Sequence, residues 1–85
     1  MDQPYHFYLL RCSDDSLYAD ICIDLEQRVE THQDGKGAKY TRGRLPVTLA
    51  FHEQHRSKGD ALRREAEVKR WSKERKERLV ADKDA

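Results

Sequence analysis

The chain has 85 residues, which is enough for one folded domain and too few for two. Charged residues make up 39% of it and apolar residues 36%, but a tryptophan, four tyrosines and patterned aliphatic residues argue against disorder. No apolar run approaches the roughly 20 residues that span a bilayer, and we expect a cytoplasmic protein without a signal peptide. Two cysteines are too few for a disulfide framework, so we interpret Cys12 and Cys22 as reduced, half-buried side chains.

The small net charge of +1 conceals a strong asymmetry along the chain. Residues 1–34 carry eight acidic and two basic side chains, whereas residues 35–85 carry fifteen basic and eight acidic ones, giving −6 and +7. Such a division favours a basic face that meets a polyanion such as nucleic acid. The alternative is that the charged residues simply form solvated helix surfaces.

Two segments near the start of the chain have the composition of β-strands. Residues 5–12 are aromatic and aliphatic, residues 17–23 alternate in character, and the turn-forming residues 13–16 separate them. This pattern predicts an antiparallel hairpin.

A short helix, a loop and a third strand are predicted next. Asp24 is a favourable N-cap for a helix over residues 25–33, and a glycine-punctuated loop follows over residues 35–44. Pro46 opens a strand that runs to about Glu53 and is rich in Val, Thr, Leu and Phe.

The last third of the chain is predicted to be helical. Ser57 is placed to cap a helix over about 58–70, and Ser72 to cap another over about 73–80. The resulting order is β-β-α-β-α-α.

We therefore expect a single small domain of mixed α/β (α+β) class over residues 1–85. Its core is predicted to span about residues 5–80, and residues 81–85 to form a frayed tail.

Glu65 is a candidate for a functional carboxylate. Ala61, Leu62 and Val68 lie at i−4, i−3 and i+3 of the same predicted helix, so Glu65 falls within the stripe expected to face the core. Burying an unpaired carboxylate costs several kcal/mol, so this position requires a cation or a metal ion. The alternative is a surface glutamate paired with a basic residue directly before it or four residues after it.

Two tyrosines and two basic residues are further candidates. Tyr8 and Tyr18 lie close together in the predicted hairpin, where two phenols can orient a phosphate or take a proton from water, or simply pack against each other. Arg28 and His32 share one face of the predicted first helix, and the guanidinium suits a phosphate. The alternatives are a salt bridge from Arg28 to Asp24 and a surface position for His32.

The glycine-punctuated loop is a candidate nucleic-acid contact. It combines backbone N–H groups and four cations with one tyrosine, which suits phosphates better than it suits a core, and its residues of interest are Lys36, Lys39, Tyr40, Arg42 and Arg44. It lacks the spacing of a nucleotide-binding P-loop. The alternative is an ordinary solvated loop.

Taken in order, these segments resemble the GIY-YIG nuclease superfamily, and within it the small single-domain bacterial branch of YhbQ-like (UPF0213) proteins. The resemblance extends from about Tyr5 to Val80. The segments that carry it are FYLLRC with Tyr8, LYADI with Tyr18, DLEQRV with Arg28, then His32, GKGAKYTRGR, and ALRREAEVKR with Glu65. Each is short, and their order and spacing together are specific.

The resemblance implies a three-stranded antiparallel sheet flanked by helices and the activity of a one-metal nuclease. It implies that Tyr18 helps to activate the attacking water, that Tyr8 orients water or phosphate, and that His32 assists. Arg28 would stabilise the pentacovalent phosphate, and Glu65 would hold a divalent metal ion, Mg²⁺ in the first place and Mn²⁺ as an alternative.

One position departs from the family pattern. The second motif usually reads Tyr-x-Gly, whereas here it reads Tyr18, Ala19, Asp20. The carboxylate of Asp20 either repels the substrate and inactivates the site, or points away from it on the alternating strand, or adds a metal ligand.

Three functions are compatible with these features. The first is a metal-dependent DNA endonuclease, structure-selective or weakly selective, in DNA repair or processing. Its substrates would be branched, nicked or single-stranded DNA, and RNA remains open. The second is a catalytically weak or inactive DNA-binding module of the same fold, because Asp20 replaces the motif glycine. The third is a protein-interaction domain anchored on Trp71, for which the alternative is that Trp71 belongs to the core.

Overall fold

The computed structural model describes residues 3–82, and a three-stranded sheet is its central element. The strands are β1 (Tyr5–Arg11), β2 (Leu17–Cys22) and β3 (Thr48–His55), with β1 between the other two. Both neighbours run antiparallel to β1, which confirms the predicted hairpin and the antiparallel sheet.

Within the described residues, four helices accompany the sheet: α1 (Leu25–Gln33), α2 (Lys39–Arg42), α3 (Lys58–Lys69) and α4 (Lys73–Asp82). The predicted order β-β-α-β-α-α and the mixed α/β class are confirmed, and α2 is an additional single turn between α1 and β3.

Alternating side chains divide the buried residues between the two faces of the sheet. On the face that packs against α3 and α4, the cluster consists of Phe7, Leu9, Ala19, Phe51 and Val68. On the opposite face, which Leu25 and Val29 of α1 cover, the cluster consists of Tyr8, Leu10, Cys12, Cys22 and Val47. We call these the α3–α4 face and the α1 face.

The predicted helix caps are present. The Asp24 carboxylate accepts a hydrogen bond from the Gln27 backbone at 3.1 Å. Ser57 and Ser72 accept equivalent bonds at the starts of α3 and α4, at 3.1 and 3.2 Å. Each bond satisfies one of the backbone donors that a helix leaves unpaired in its first turn.

Four details differ from the sequence-based expectation. Strand β3 begins at Thr48 instead of Pro46 and continues to His55. The segment predicted as a loop contains α2, because the carbonyl of Ala38 accepts hydrogen bonds from the backbone N–H groups of Thr41 and Arg42. Helix α4 extends to Asp82, and the rest of the predicted frayed tail, residues 83–85, lies outside the described residues. Leu62, expected in the core stripe of α3, is exposed.

Trp71 lies at the edge of the core. It packs against the cluster on the α3–α4 face. The guanidinium carbons of Arg75 and Arg64 lie 4.0 and 5.3 Å from the centre of its ring. These contacts agree with the interpretation of Trp71 as a core residue whose exposed side is covered by cation–π partners.

Cys12 and Cys22 are free thiols, and both are buried, more deeply than expected. Among residues 3–82, no helix is both long enough and apolar enough to cross a membrane.

Candidate active site

The two candidate tyrosines project from the α1 face of the sheet. In the hairpin register Tyr18 lies opposite Leu10, and Tyr8 lies opposite Asp20. Residues paired across two strands share a face, and so do residues two apart on one strand. The register therefore brings Tyr8, Tyr18 and Asp20 together beside α1.

His32 lies between the two tyrosines. Its side chain is 0% exposed, and its Nε2 atom lies 3.0 Å from the hydroxyl oxygen of Tyr8. The imidazole meets both phenol rings edge to face, with centroids 6.2 Å from Tyr8 and 5.5 Å from Tyr18. The alternative of a surface histidine is thus excluded, because His32 is the polar centre of the α1 face.

The segment after α1 closes over His32. The Nδ1 atom of His32 lies 2.9 Å from the hydroxyl of Thr41, and that hydroxyl lies 2.9 Å from the carbonyl of Ala38. A Cβ atom added at Gly37 would lie 2.2 Å from Nδ1 of His32, so the backbone passes directly over the ring. The sequence reasoning missed Thr41, and the only signal for this contact was the glycine spacing of the segment.

Burial sets the protonation states of these groups. The pKa of His32 is lowered by burial and by the nearby Arg28, so the imidazole is neutral at pH 7. The pKa of Tyr8 is raised by burial and then by Asp20. Tyr8 is also 0% exposed, so in this structure its hydroxyl is a protonated internal group.

Asp20 points into the site. Its Oδ2 atom accepts a hydrogen bond from the hydroxyl of Tyr18 at 2.9 Å and lies 4.0 Å from Nη1 of Arg28. Its Oδ1 atom accepts from the backbone N–H of Ile21 at 2.8 Å. The pKa of Tyr18 is raised by burial and by this carboxylate, so Tyr18 is a hydrogen-bond donor at neutral pH.

Arg28 forms the charged edge of the site. The carboxylate nearest its guanidinium is Asp20, at 4.0 Å, and the predicted alternative, a salt bridge to Asp24, is absent from the described residues. Arg28 is exposed and also lines a groove of 690 Å³ between α1, β2 and the start of α3. The other residues that line this groove are Tyr5, Ile21, Cys22, Ile23, Asp24, Gln27, Thr31 and Lys58.

Glu65 has features of both predicted alternatives, since it is largely buried and is also paired with a basic residue. Its side chain is 13% exposed, and its Oε2 atom lies 2.9 Å from Nζ of Lys69. Its charge also contributes to the raised pKa of Tyr18, so the two residues lie within electrostatic reach of each other. In the part of the chain that the structure describes, no three His, Cys, Asp or Glu side chains form a closed metal cage. A single carboxylate still fits Mg²⁺, which keeps several waters and takes substrate phosphate oxygens as ligands.

Two of the loop candidates are turned towards the site. The ring of Tyr40 stacks on that of Tyr18, with centroids 5.7 Å apart and planes 20° apart. The guanidinium of Arg44 lies 3.9 Å from the centre of the Tyr40 ring, and its Nε atom lies 2.9 Å from the Asp14 carboxylate. Tyr40 and Arg44 therefore support Tyr18 from outside, as His32 does from inside.

The other three loop candidates face solvent. Lys36, Lys39 and Arg42 are exposed, and no acidic side chain within residues 3–82 forms an ion pair with them. Their charges are available to an external polyanion.

Comparison with known proteins identifies the family of the chain. The family model described as the GIY-YIG catalytic domain matches residues 4–78. A UPF0213 protein of Natronomonas pharaonis is 48% identical over 82 residues, which cover 96% of both chains. A UPF0213 protein of Bacillus pumilus is 44% identical over 92% of this chain and 80% of its own. The solution NMR structure of a UPF0213 protein of Bacillus halodurans has a TM-score of 0.60 at 44% identity, covering 92% of this chain and 83% of that one.

Two tyrosines, an arginine and a carboxylate lie around a small antiparallel sheet, and the family whose model matches the chain supports a function of nuclease type. The chain belongs to the GIY-YIG family, since the family model covers most of its length. The resemblance to the UPF0213 branch is likewise confirmed, by relatives that match over nearly the whole chain.

Proposed function

We propose that this protein is a metal-dependent endonuclease that hydrolyses phosphodiester bonds in DNA. The observation that carries the proposal is the convergence of two donors on one anionic oxygen. The hydroxyl of Tyr18 and the guanidinium of Arg28 both face Oδ2 of Asp20, at 2.9 and 4.0 Å. A phosphate oxygen in that place would meet a hydrogen-bond donor and a positive charge, which is the arrangement that stabilises a phosphoryl transition state.

The residues have different roles in this proposal. Tyr18 contacts the attacking water or a phosphate oxygen, and Arg28 neutralises the negative charge on the phosphoryl oxygens in the transition state. Glu65 would hold the divalent cation, Mg²⁺ or Mn²⁺, which when bound supplies a Lewis acid and a more acidic water. Tyr8 and His32 are buried, and the His32 ring packs against both phenol rings, so their role in this proposal is to hold the Tyr18 ring in place.

The surface around the site suits a nucleic-acid strand. Lys36, Lys39 and Arg42 lie on the segment that covers His32, and Lys58 and Arg28 line the neighbouring groove. We propose that these cations contact backbone phosphates of branched, nicked or single-stranded DNA during repair or processing in the cytoplasm. RNA with the same phosphate spacing is a second substrate to test. The region matched by the family model, with its flanking residues, would act as one nuclease domain.

Cleavage of a labelled panel of DNA structures with Mg²⁺ or Mn²⁺ tests the proposal. The wild type is expected to cut at least one structure, and Glu65→Gln to lose cutting. Glu67→Gln is the matched control, because Glu67 is an exposed carboxylate on the same helix that pairs with Arg64. Cutting that persists in Glu65→Gln, or the absence of cutting by the wild type on every structure, would refute the assignment.

Asp20 supports a second candidate function, a DNA-binding module with little or no activity. Its carboxylate already occupies the position between Tyr18 and Arg28, where a phosphate would bind. This candidate predicts salt-sensitive binding of DNA without cutting. It also predicts that Asp20→Gly restores cutting. If the wild type cuts as fast as Asp20→Gly, the candidate fails.

A further inference from the structure

Three short contacts run inward from the site through His32. They join the hydroxyl of Tyr8 to Nε2 of His32 at 3.0 Å, Nδ1 of His32 to the hydroxyl of Thr41 at 2.9 Å, and that hydroxyl to the carbonyl of Ala38 at 2.9 Å. Tyr8, His32 and Thr41 are all 0% exposed, so water cannot supply a missing partner.

The protons of this chain of contacts have one consistent arrangement. The carbonyl of Ala38 has no proton, so the contact between it and Thr41 is a hydrogen bond only if the Thr41 hydroxyl donates. The Thr41 oxygen then accepts from His32, which places the single proton of the neutral imidazole on Nδ1. The Nε2 atom is left with a lone pair, and it accepts from the hydroxyl of Tyr8.

The opposite tautomer leaves a repulsive contact. If His32 carried its proton on Nε2, Thr41 would have to donate to Nδ1, and two oxygens would face each other at 2.9 Å with no proton between them. The carbonyl of Ala38 also accepts from the backbone of α2, which keeps it in place. The geometry of one hydroxyl therefore decides the tautomer of the histidine.

We propose that Thr41 is a positioning residue that holds His32 as the Nδ1–H tautomer and thereby directs the proton of Tyr8 away from the substrate side. Tyr8 lies directly opposite Asp20 in the hairpin, and the charge of Asp20 acts on the Tyr8 hydroxyl, so a Tyr8 proton released from His32 would be drawn towards that carboxylate. With that proton bound to His32, Tyr18 is the phenol that donates into the site. The consequence for cleavage rests on the proposed nuclease function, whereas the tautomer does not.

Nitrogen-15 NMR of the imidazole side chains tests the tautomer directly. Long-range proton–nitrogen correlations distinguish a protonated ring nitrogen from an unprotonated one, and the spectrum of His32→Gln identifies the His32 signals among those of the four histidines. The wild type is expected to show Nδ1–H. Thr41→Ser keeps the hydroxyl and is expected to keep this signature, whereas Thr41→Val removes it at nearly the same volume and is expected to shift His32 towards Nε2–H.

A second measurement connects the tautomer to cleavage. Single-turnover cutting at saturating DNA is expected to fall roughly 10–100-fold in Thr41→Val, by analogy with residues that hydrogen-bond to metal ligands and orient them. DNA affinity is expected to stay unchanged, and Thr41→Ser to restore most of the rate.

The outcomes separate the two claims. An Nε2–H signature in the wild type, or an unchanged signature in folded Thr41→Val, would overturn the role of Thr41 whether or not the protein cuts DNA. If Thr41→Val does not fold, the wild-type and Thr41→Ser spectra still decide the tautomer. A confirmed Nδ1–H tautomer in a protein that cuts no DNA would leave the role of Thr41 standing and refute the nuclease function.

Discussion

Gly37→Ala should disrupt the packing of His32, although Gly37 has no side chain in the site. The added Cβ would lie 2.2 Å from Nδ1 and 2.7 Å from Cγ and Cε1 of His32, where ordinary contact begins at 3.4 Å. Because His32 is 0% exposed and held by Tyr8 and Thr41, the ring or the backbone must shift by about 1 Å. Overpacking of a buried site costs about 1–3 kcal/mol, and each lost hydrogen bond adds about 1 kcal/mol. We therefore expect unfolding free energy to fall by about 2–4 kcal/mol.

Gly43→Ala provides the matched control for this measurement. A Cβ at Gly43 meets nothing within 4 Å, and its φ of −91° is open to alanine, so the change in stability should stay within about 0.5 kcal/mol. Urea denaturation of both variants and the wild type gives the two differences. Equal stability of Gly37→Ala and Gly43→Ala would refute the close packing of this segment on His32.

Three further predictions concern other parts of the molecule. The pKa of Glu77 is lowered to about 2 by its hydrogen bond from Arg11, so the pair stabilises the fold above pH 4.5 and loses this contribution as the pH falls towards about 2. With a side chain 32% exposed, solvent screening leaves about 1–2 kcal/mol at pH 7, and the stability gap between wild type and Glu77→Gln should close over that acid range. Tyr40→Ala removes the ring stacked on Tyr18 and should lower the unfolding free energy by about 1 kcal/mol, whereas Tyr40→Phe should not. Asp20→Asn removes a negative charge beside the proposed phosphate position and should strengthen DNA binding about fivefold in fluorescence anisotropy, or about 1 kcal/mol. If Asp20→Asn binds DNA with the affinity of the wild type, DNA does not bind beside Asp20.

Local sequence patterns predicted the helices and strands of this fold, because the start and end of each element depend on residues that are close in sequence. The caps at Asp24, Ser57 and Ser72 marked the helix starts through side chains that bond to backbone three residues on. The short helix α2 was missed, since glycines on both sides of residues 38–42 indicate a loop.

The contacts of the site could not be predicted in the same way. Alternation along β2 alone places Asp20 on the same face as Tyr18, but its hydrogen bond to that phenol depends on burial and on the proximity of Arg28. The contact between His32 and Thr41 joins two elements across a turn, and neither residue type signals it. Leu62 was predicted to be in the core and is exposed. Helical spacing identifies which residues share a face of the helix, but it does not show how far the sheet extends beneath that face.

The buried part of the site is uncharged, and its charged groups lie at the surface. A substrate phosphate therefore meets the charged groups first. From Thr41 through His32 to Tyr8 every group is buried and uncharged, since an unpaired charge there would cost several kcal/mol. Charge begins at Asp20, 26% exposed, and at Arg28, where water can solvate both.

Because Tyr18 and Arg28 converge on one oxygen position, they can serve either Asp20 or a phosphate. Under the proposed function, binding would exchange one anion for the other. Cleavage by the proposed nuclease would then require the carboxylate to turn towards water, against its hydrogen bond from the backbone N–H of Ile21. Asp20→Asn removes the charge but keeps an acceptor for Tyr18, whereas Asp20→Gly removes both. If repulsion limits cleavage, Asn should raise the rate nearly as much as Gly. If occupation of the Tyr18 hydroxyl limits it, only Gly should do so.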